Sequence, residues 1–177
     1  LAHAANACEE GITACYLLDQ SMWQRHDTAP CRINFILSGL KKLSDALTEL
    51  NIPLILIEIT DSADIPNQLY QLLQKTQATT LFYNRQYEIN ERRRDQAVEK
   101  YLQQHAILCQ SFDDQVILAP GSVRTQEGNF FKVFTAFKNA WYKTLTTQPE
   151  IKRLPIPKKQ KPLSINSSVI PGSLPCL

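Results

Sequence analysis

Apolar runs alternate along the chain with stretches in which apolar positions return every three or four residues, the patterns of buried strands and amphipathic helices respectively. The Ala-rich residues 1–10 predict a helix, with Gly11 as the break that ends it. Residues 12–18, ITACYLL, predict a buried strand. From Pro30, the spacing of Ile33, Ile36, Leu40, Leu43, Leu47 and Leu50 puts all six on one face of the clearest helix in the chain, and Asn51-Ile52-Pro53 ends it. Residues 54–59, LILIEI, form the continuous apolar run of a parallel strand covered on both faces. Asp64 as N-cap and Pro66 in the first turn open a further helix, with Leu69, Leu72 and Leu73 sharing a face. A strand over 79–83, a helix following Asn90-Glu91 that turns Ala97, Val98, Tyr101 and Leu102 inward, and a strand over 106–112 complete the alternation.

Strands alternating with helices imply a parallel α/β sheet with right-handed crossovers, in the Rossmann-like class. Beyond Asp113 the pattern is irregular until residues 132–145, where Phe134, Phe137 and Trp141 return at helical spacing and predict a docking helix. Residues 1–150 therefore read as one domain. Residues 151–177 hold five of the ten prolines and read as an extended, basic, Pro-rich interdomain linker.

At 177 residues and 44% hydrophobic, the chain can bury one good core and little more. Its formal charge of +2 hides an asymmetry. Lys152, Arg153, Lys158, Lys159 and Lys161 fall in the last stretch with no carboxylate among them, which leaves residues 1–150 three charges to the acidic side. A body of that sign lacks the clustered Lys/Arg that neutralises phosphates, so it should bind DNA poorly by itself. Five cysteines, spread without C-x-x-C or Cys/His spacing, read as cytosolic thiols, Cys15 and Cys109 as small hydrophobes in strands, and no metal site is expected. No run approaches a membrane span and no signal segment is visible, so a cytoplasmic protein is expected.

No glycine-rich phosphate loop occurs, and neither His26 nor His105 is brought beside an activated Ser or Cys by any motif, so no catalytic set is expected. The segment LFYNRQYEINERRRD, residues 81–95, is different. An apolar strand end runs through aromatics into Asn90-Glu91 at a helix start, where an amide and a carboxylate are held in fixed directions and could grip a polar ring edge. The plainer reading makes Asn90 an N-cap and Glu91 a first-turn carboxylate. Arg92, Arg93 and Arg94, among Glu88, Glu91 and Asp95, read as a solvated helix face.

FYNRQYEINERRRD, FDDQVILAPGSV and KVFTAFKNAW, in that order, resemble the N-terminal α/β domain of the bacterial members of the DNA photolyase and cryptochrome family. The resemblance covers essentially the whole chain. It implies a light-harvesting antenna, commonly methenyltetrahydrofolate, held in this domain, and FAD in a helical domain that follows. It implies that Glu91 is the pterin-binding carboxylate, Asn90 its neighbouring amide, and His26, three residues after Trp23, a side chain against the antenna. A carboxylate suits the task because a pterin edge presents two adjacent donors in the fork geometry of an Arg. The implied activity of the parent protein is light-driven repair of cyclobutane pyrimidine dimers in damaged DNA. A cryptochrome-like photoreceptor domain and a stand-alone α/β binding module are the alternatives. The family opens with a strand and an Arg-rich turn ahead of what is Leu1 here. Without that strand, which lies inside the family's sheet, two strand edges should be left unpaired and should promote self-association, and the chain reads as a fragment inactive by itself.

Overall fold

The computed structural model describes residues 1–147 and 154–173. It resolves into two compact units: residues 1–82, 87–110 and the tail from Pro155 form the first, and residues 83–86 with 111–154 the second.

The first unit is a parallel α/β arrangement. Helix α1 (Ala2–Ala7) leads to strand β1 (Ala14–Asp19), then a short helix α2 (Gln20–Arg25) and the long helix α3 (Pro30–Glu49). Strand β2 (Leu54–Ile59) lies parallel to β1 in the register Ala14 to Leu54 through Asp19 to Ile59. A turn of 3-10 helix (Ser62–Asp64) and α4 (Ile65–Thr76) follow, then β3 (Thr80–Asn84), α5 (Ile89–Gln104) and β4 (Leu108–Phe112). β3 and β4 pair, and the bonds Leu108 N–H to Thr79 O and Arg85 N–H to Phe112 O advance together along both strands, the mark of parallel pairing.

Alternation along β1 explains why both faces are apolar. Cys15 and Leu17 turn toward α4 and α5, packing with Ile57 and Ile59 of β2, Leu69 and Leu73 of α4, and Val98 and Leu102 of α5. Tyr16 and Leu18 turn the other way, toward Ile33, Leu37 and Leu40 of α3. Among the described residues the strands form two two-stranded sheets, β1–β2 and β3–β4, with no pairing between β1 and β3.

Several local expectations change. α1 ends at Cys8, whose backbone is extended, so Gly11 is not its cap; Gly11 sits at φ +115° where the tail presses on it, and an added Cβ would lie 3.2 Å from Leu163 Cδ2 and 3.3 Å from Gln160 Cδ. Leu43 is 46% exposed and Ala97 is exposed, so the two drop off their helices' buried faces. Asp64 occupies the N-cap position of α4, but its carboxylate accepts from Asn67 Nδ2 and Gln68 Nε2 in place of the backbone, and those bonds hold its carboxyl below the usual range. The tail has no regular secondary structure, as an extended segment should. It is not simply solvated, however: Ser168 N–H donates to Leu54 O at 2.8 Å, Ser168 Oγ accepts from Leu56 N–H, and Ile170 packs against the α3 side of the sheet. The outer edge of β2 is thereby covered, which is how an edge strand is kept from pairing with other chains.

The second unit holds α6 (Phe134–Thr147) and the loop before it. α6 buries none of its residues, and Phe134 is 75% exposed, so the aromatic spacing marks an apolar face rather than a core. Leu118, Gly121, Phe130, Phe137 and Trp141 line an open hollow of about 300 Å³.

Candidate functional site

In an open parallel sheet the connections at the carboxyl ends of the strands are where ligands are held. β1 ends at Asp19, which caps α2: its Oδ1 accepts from Met22 N–H at 2.9 Å and from Ser21 Oγ at 2.7 Å. Its Oδ2 accepts from Ser62 Oγ, 2.7 Å away in the turn after β2. Partial burial raises the Asp19 carboxyl, but the bonds from Ser21, Ser62 and Met22 and the charge of Arg25 outweigh it and leave it below the ordinary range. Asp19 is thus a rigid ionised brace joining the ends of β1 and β2. Sequence reasoning passed over it, although Asp-x-Ser directly after an apolar run is an N-cap signal.

His26, at the C-cap of α2, is exposed, and its N–H closes the helix onto Met22 O and Gln24 O. Trp23, one turn earlier, packs on the α3 side of the core, so α2 is anchored by Trp23 while His26 stands at its free end. Asp27 takes φ +47° and turns the chain toward α3.

Asn90 and Glu91 lie in the first turn of α5, in the connection that follows the carboxyl end of β3. The N-cap is Glu88 and the helix begins at Ile89, which rules out Asn90 as a cap. Glu88 makes no side-chain cap; its Oε2 accepts from Tyr87 N–H instead. Asn90 is exposed and Glu91 half-buried, and among the described residues neither side chain has a hydrogen bond or ion pair. A first-turn carboxylate commonly reaches back to cap its own helix. Glu91 does not, so its two oxygens are available to an external donor pair beside the positive end of α5. Successive helix residues diverge by about 100°, so Asn90 and Glu91 would approach a ligand from different directions.

Arg94 is turned onto Asp95, its Nε and a terminal nitrogen both on Asp95 Oδ1 at 2.9 and 2.7 Å, so the three arginines are not one solvated row. His105, at the far end of α5, bonds Tyr101 O through Nδ1 and stacks on Tyr70 with centroids 4.2 Å apart, a packing role at the end of the helix away from Glu91. Among the described residues no group of His, Cys, Asp and Glu has a metal-binding arrangement, and no helix is long and apolar enough to cross a membrane.

The profile of the family described as DNA photolyase matches residues 1–158. The chain is 40% identical to a deoxyribodipyrimidine photo-lyase of Salmonella typhimurium over 98% of its own length and 36% of the relative's, and 40% identical to one of Escherichia coli over 82% and 30%. It spans about a third of the length of these relatives. Two solved structures share its fold over 90% of the chain and 32% of their own lengths: a bacterial class III photolyase from Agrobacterium tumefaciens (TM-score 0.71, 20% identity) and an archaeal photolyase from Sulfolobus tokodaii with two FAD molecules (TM-score 0.61, 14% identity). With the profile matched over most of its residues and the fold shared across nearly all of them, this chain belongs to the DNA photolyase family.

Proposed function

We propose that residues 1–150 are the antenna-binding domain of a deoxyribodipyrimidine photo-lyase, a cytoplasmic enzyme that repairs cyclobutane pyrimidine dimers in damaged DNA, and that residues 151–177 lead toward its flavin-binding part. Reduced FAD supplies the electron that splits the dimer, and a methenyltetrahydrofolate antenna supplies additional light absorption. The task of this chain is to hold, desolvate and orient the antenna.

The observation that carries the reading is the Glu91 carboxylate, half-buried at the N-terminus of α5 and without an intramolecular partner among the described residues. It fits the two adjacent donors of a pterin edge, which it would accept in a fork, while the helix terminus favours its charge. Asn90 offers an amide from the exposed side and His26 a ring from the end of α2. Asp19, tied to Ser62, keeps the two connections at the edge of β1 and β2 in fixed positions.

The test uses a chimera carrying residues 1–177 in place of the matching third of the Salmonella typhimurium relative. Purified in the dark, it should retain a chromophore with folate absorbance and remove thymine dimers on illumination, whereas residues 1–177 alone should remove none. A second flavin in place of folate, as in the archaeal neighbour with two FAD molecules, would correct the antenna while leaving the domain's role intact. A folded chimera with neither antenna nor repair would return the chain to the stand-alone binding module.

A further inference from the structure

The loop ahead of α6 is shaped by two tight turns, each with a glycine at positive φ. Ala119-Pro120-Gly121-Ser122 puts proline at the second turn position and glycine at the third, where φ is +82°, and Ser122 N–H donates to Ala119 O at 3.0 Å. Downstream, Gly128, at φ +81°, donates its N–H to Thr125 O at 2.9 Å, and Thr125 Oγ1 accepts from Asn129 N–H at 3.1 Å. Both turns are therefore fixed by hydrogen bonds of their own.

Arg124 lies between the two turns and is held by both. Its Nε donates to Gly121 O at 2.9 Å, its Nη1 donates to Gly128 O at 3.4 Å, and its guanidinium carbon stands 3.7 Å from the centre of the Phe130 ring. A Cβ on Gly121 would come within 3.1 Å of Arg124 Nη2, so glycine at this position serves the approach of the guanidinium as well as the turn. A guanidinium carries five N–H donors, and two are engaged here. Among the described residues Arg124 has no ion pair, and Glu127, the carboxylate of the second turn, accepts from Asn129 Nδ2 instead. The Nη1 and Nη2 end of the fork is thus held flat on Phe130 and left open.

Gly121 and Phe130, which hold Arg124, also line the hollow of the second unit. Buried Leu118 and Val123 form its floor and Phe131, Phe137 and Trp141 its walls, with Phe131 and Phe137 meeting edge to face at 6.1 Å. Its volume of about 300 Å³ lies at the small end of the range of small-molecule sites and suits one ring system.

We propose that this hollow binds a planar aromatic anion: the ring stacks among Phe131, Phe137 and Trp141, and one carboxylate or phosphate accepts from Nη1 and Nη2 of Arg124 at the rim. Aromatic walls favour a ring, because offset and edge-to-face stacking add to simple burial. The fork favours an anion, because a guanidinium meets a carboxylate or phosphate with two parallel charge-assisted bonds. Preorganisation by Phe130 and the two carbonyls lowers the ordering cost of binding. All the residues involved belong to the second unit, so the site is independent of the antenna reading at Glu91. Two sources share this chemistry, a free aromatic acid and a nucleoside monophosphate.

The 177-residue chain is titrated with naphthoate and with adenylate, each beside its uncharged counterpart, naphthalenemethanol and adenosine, and binding is read by calorimetry and from the Trp141 indole N–H resonance. At least one anion should bind saturably, one to one, with a Kd of about a millimolar or below, and should shift the Trp141 resonance. The tighter of the two names the source. Its uncharged counterpart should bind at least about tenfold more weakly, and Arg124→Met should remove that difference. No saturable binding by either anion, equal binding of the charged and uncharged partners, binding that leaves the Trp141 resonance unmoved, or undiminished anion binding by Arg124→Met would each overturn the proposal. Should Arg124→Met fail to fold, the charged and uncharged partners on the unaltered chain still decide whether the guanidinium is read.

Discussion

The side-chain amide of Gln160 closes on both backbone groups of Ile12: its Oε1 accepts the Ile12 N–H at 2.8 Å and its Nε2 donates to the Ile12 carbonyl at 3.0 Å. The same Nε2 reaches Asn51 O at 2.9 Å, and Asn51 Nδ2 answers by donating to Gln160 O at 2.7 Å. A residue in the tail thereby joins the start of β1 to the turn before β2, supplying partners that a two-stranded sheet cannot provide at its entry.

Gln160→Ala should release this clasp. It removes three bonds to backbone groups that are partly buried, each contributing on the order of 1 kcal/mol, so a loss of about 2 to 3 kcal/mol is expected, with faster proteolysis of the tail. Gly11→Ala should act at the same joint, because φ +115° is unfavourable to any residue with a Cβ and because the added methyl meets Gln160 and Leu163. Thermal melts together with limited proteolysis check both. Unchanged tail cleavage in Gln160→Ala would show that the clasp does not hold the tail.

Burial pushes the Cys15 thiol up from the ordinary 9.0 to about 11. The unfolded chain therefore releases this proton first, and stability that is fully present below about pH 9 should decline as pH rises toward about 11, by at most about 2 to 3 kcal/mol. Cys109 and Tyr16 are also raised, the first by burial and by Glu99, the second by burial, and contribute with the same sign. The Cys15 share is isolated by comparing urea unfolding of the unaltered chain with Cys15→Ala at about pH 8 and about pH 10.5. The alkaline loss should be smaller in the variant, and an equal loss would remove Cys15 from the account.

DNA association of the 177-residue chain should be weak, strongly salt-dependent and confined to the tail. Lys158, Lys159 and Lys161 are all exposed, whereas residues 1–150 carry a net acidic charge. Replacing these three lysines by Gln should abolish binding to duplex at low salt, measured by fluorescence anisotropy. Retained tight binding at physiological salt would place the interface on the body.

The alternation of apolar runs and helical periods was enough to read the parallel α/β class, because strands covered on both faces, such as residues 54–59, leave an unbroken apolar signature. Helix α2 was missed since six residues carry less than two turns of periodicity, and its start is written in the Asp19 cap instead. The docking of the tail was not legible either: Gln160, Ser167 and Ser168 act through backbone groups distant in sequence, and such bonds have no local period. At the site, the position of Asn90-Glu91 beside a helix start was legible, but which residue caps the helix was not, because Glu88 occupies that place without a side-chain bond.

The central claim is that Glu91 holds the antenna, and the direct measurement is folate content in the chimera described above, unaltered and as Glu91→Ala and Glu91→Gln. Removing the carboxylate leaves two donors of a pterin edge unpaired, and bonds to a charged group contribute roughly 1.5 to 3 kcal/mol each, so Glu91→Ala should weaken folate binding by at least about tenfold. Glu91→Gln should be nearly as damaging, since an amide cannot accept both protons of the fork. Thermal melting run in parallel should show both variants folded, because Glu91 makes no intramolecular bond among the described residues. Folate content unchanged in a normally folded Glu91→Ala protein would contradict the account and leave Glu91 an ordinary first-turn carboxylate.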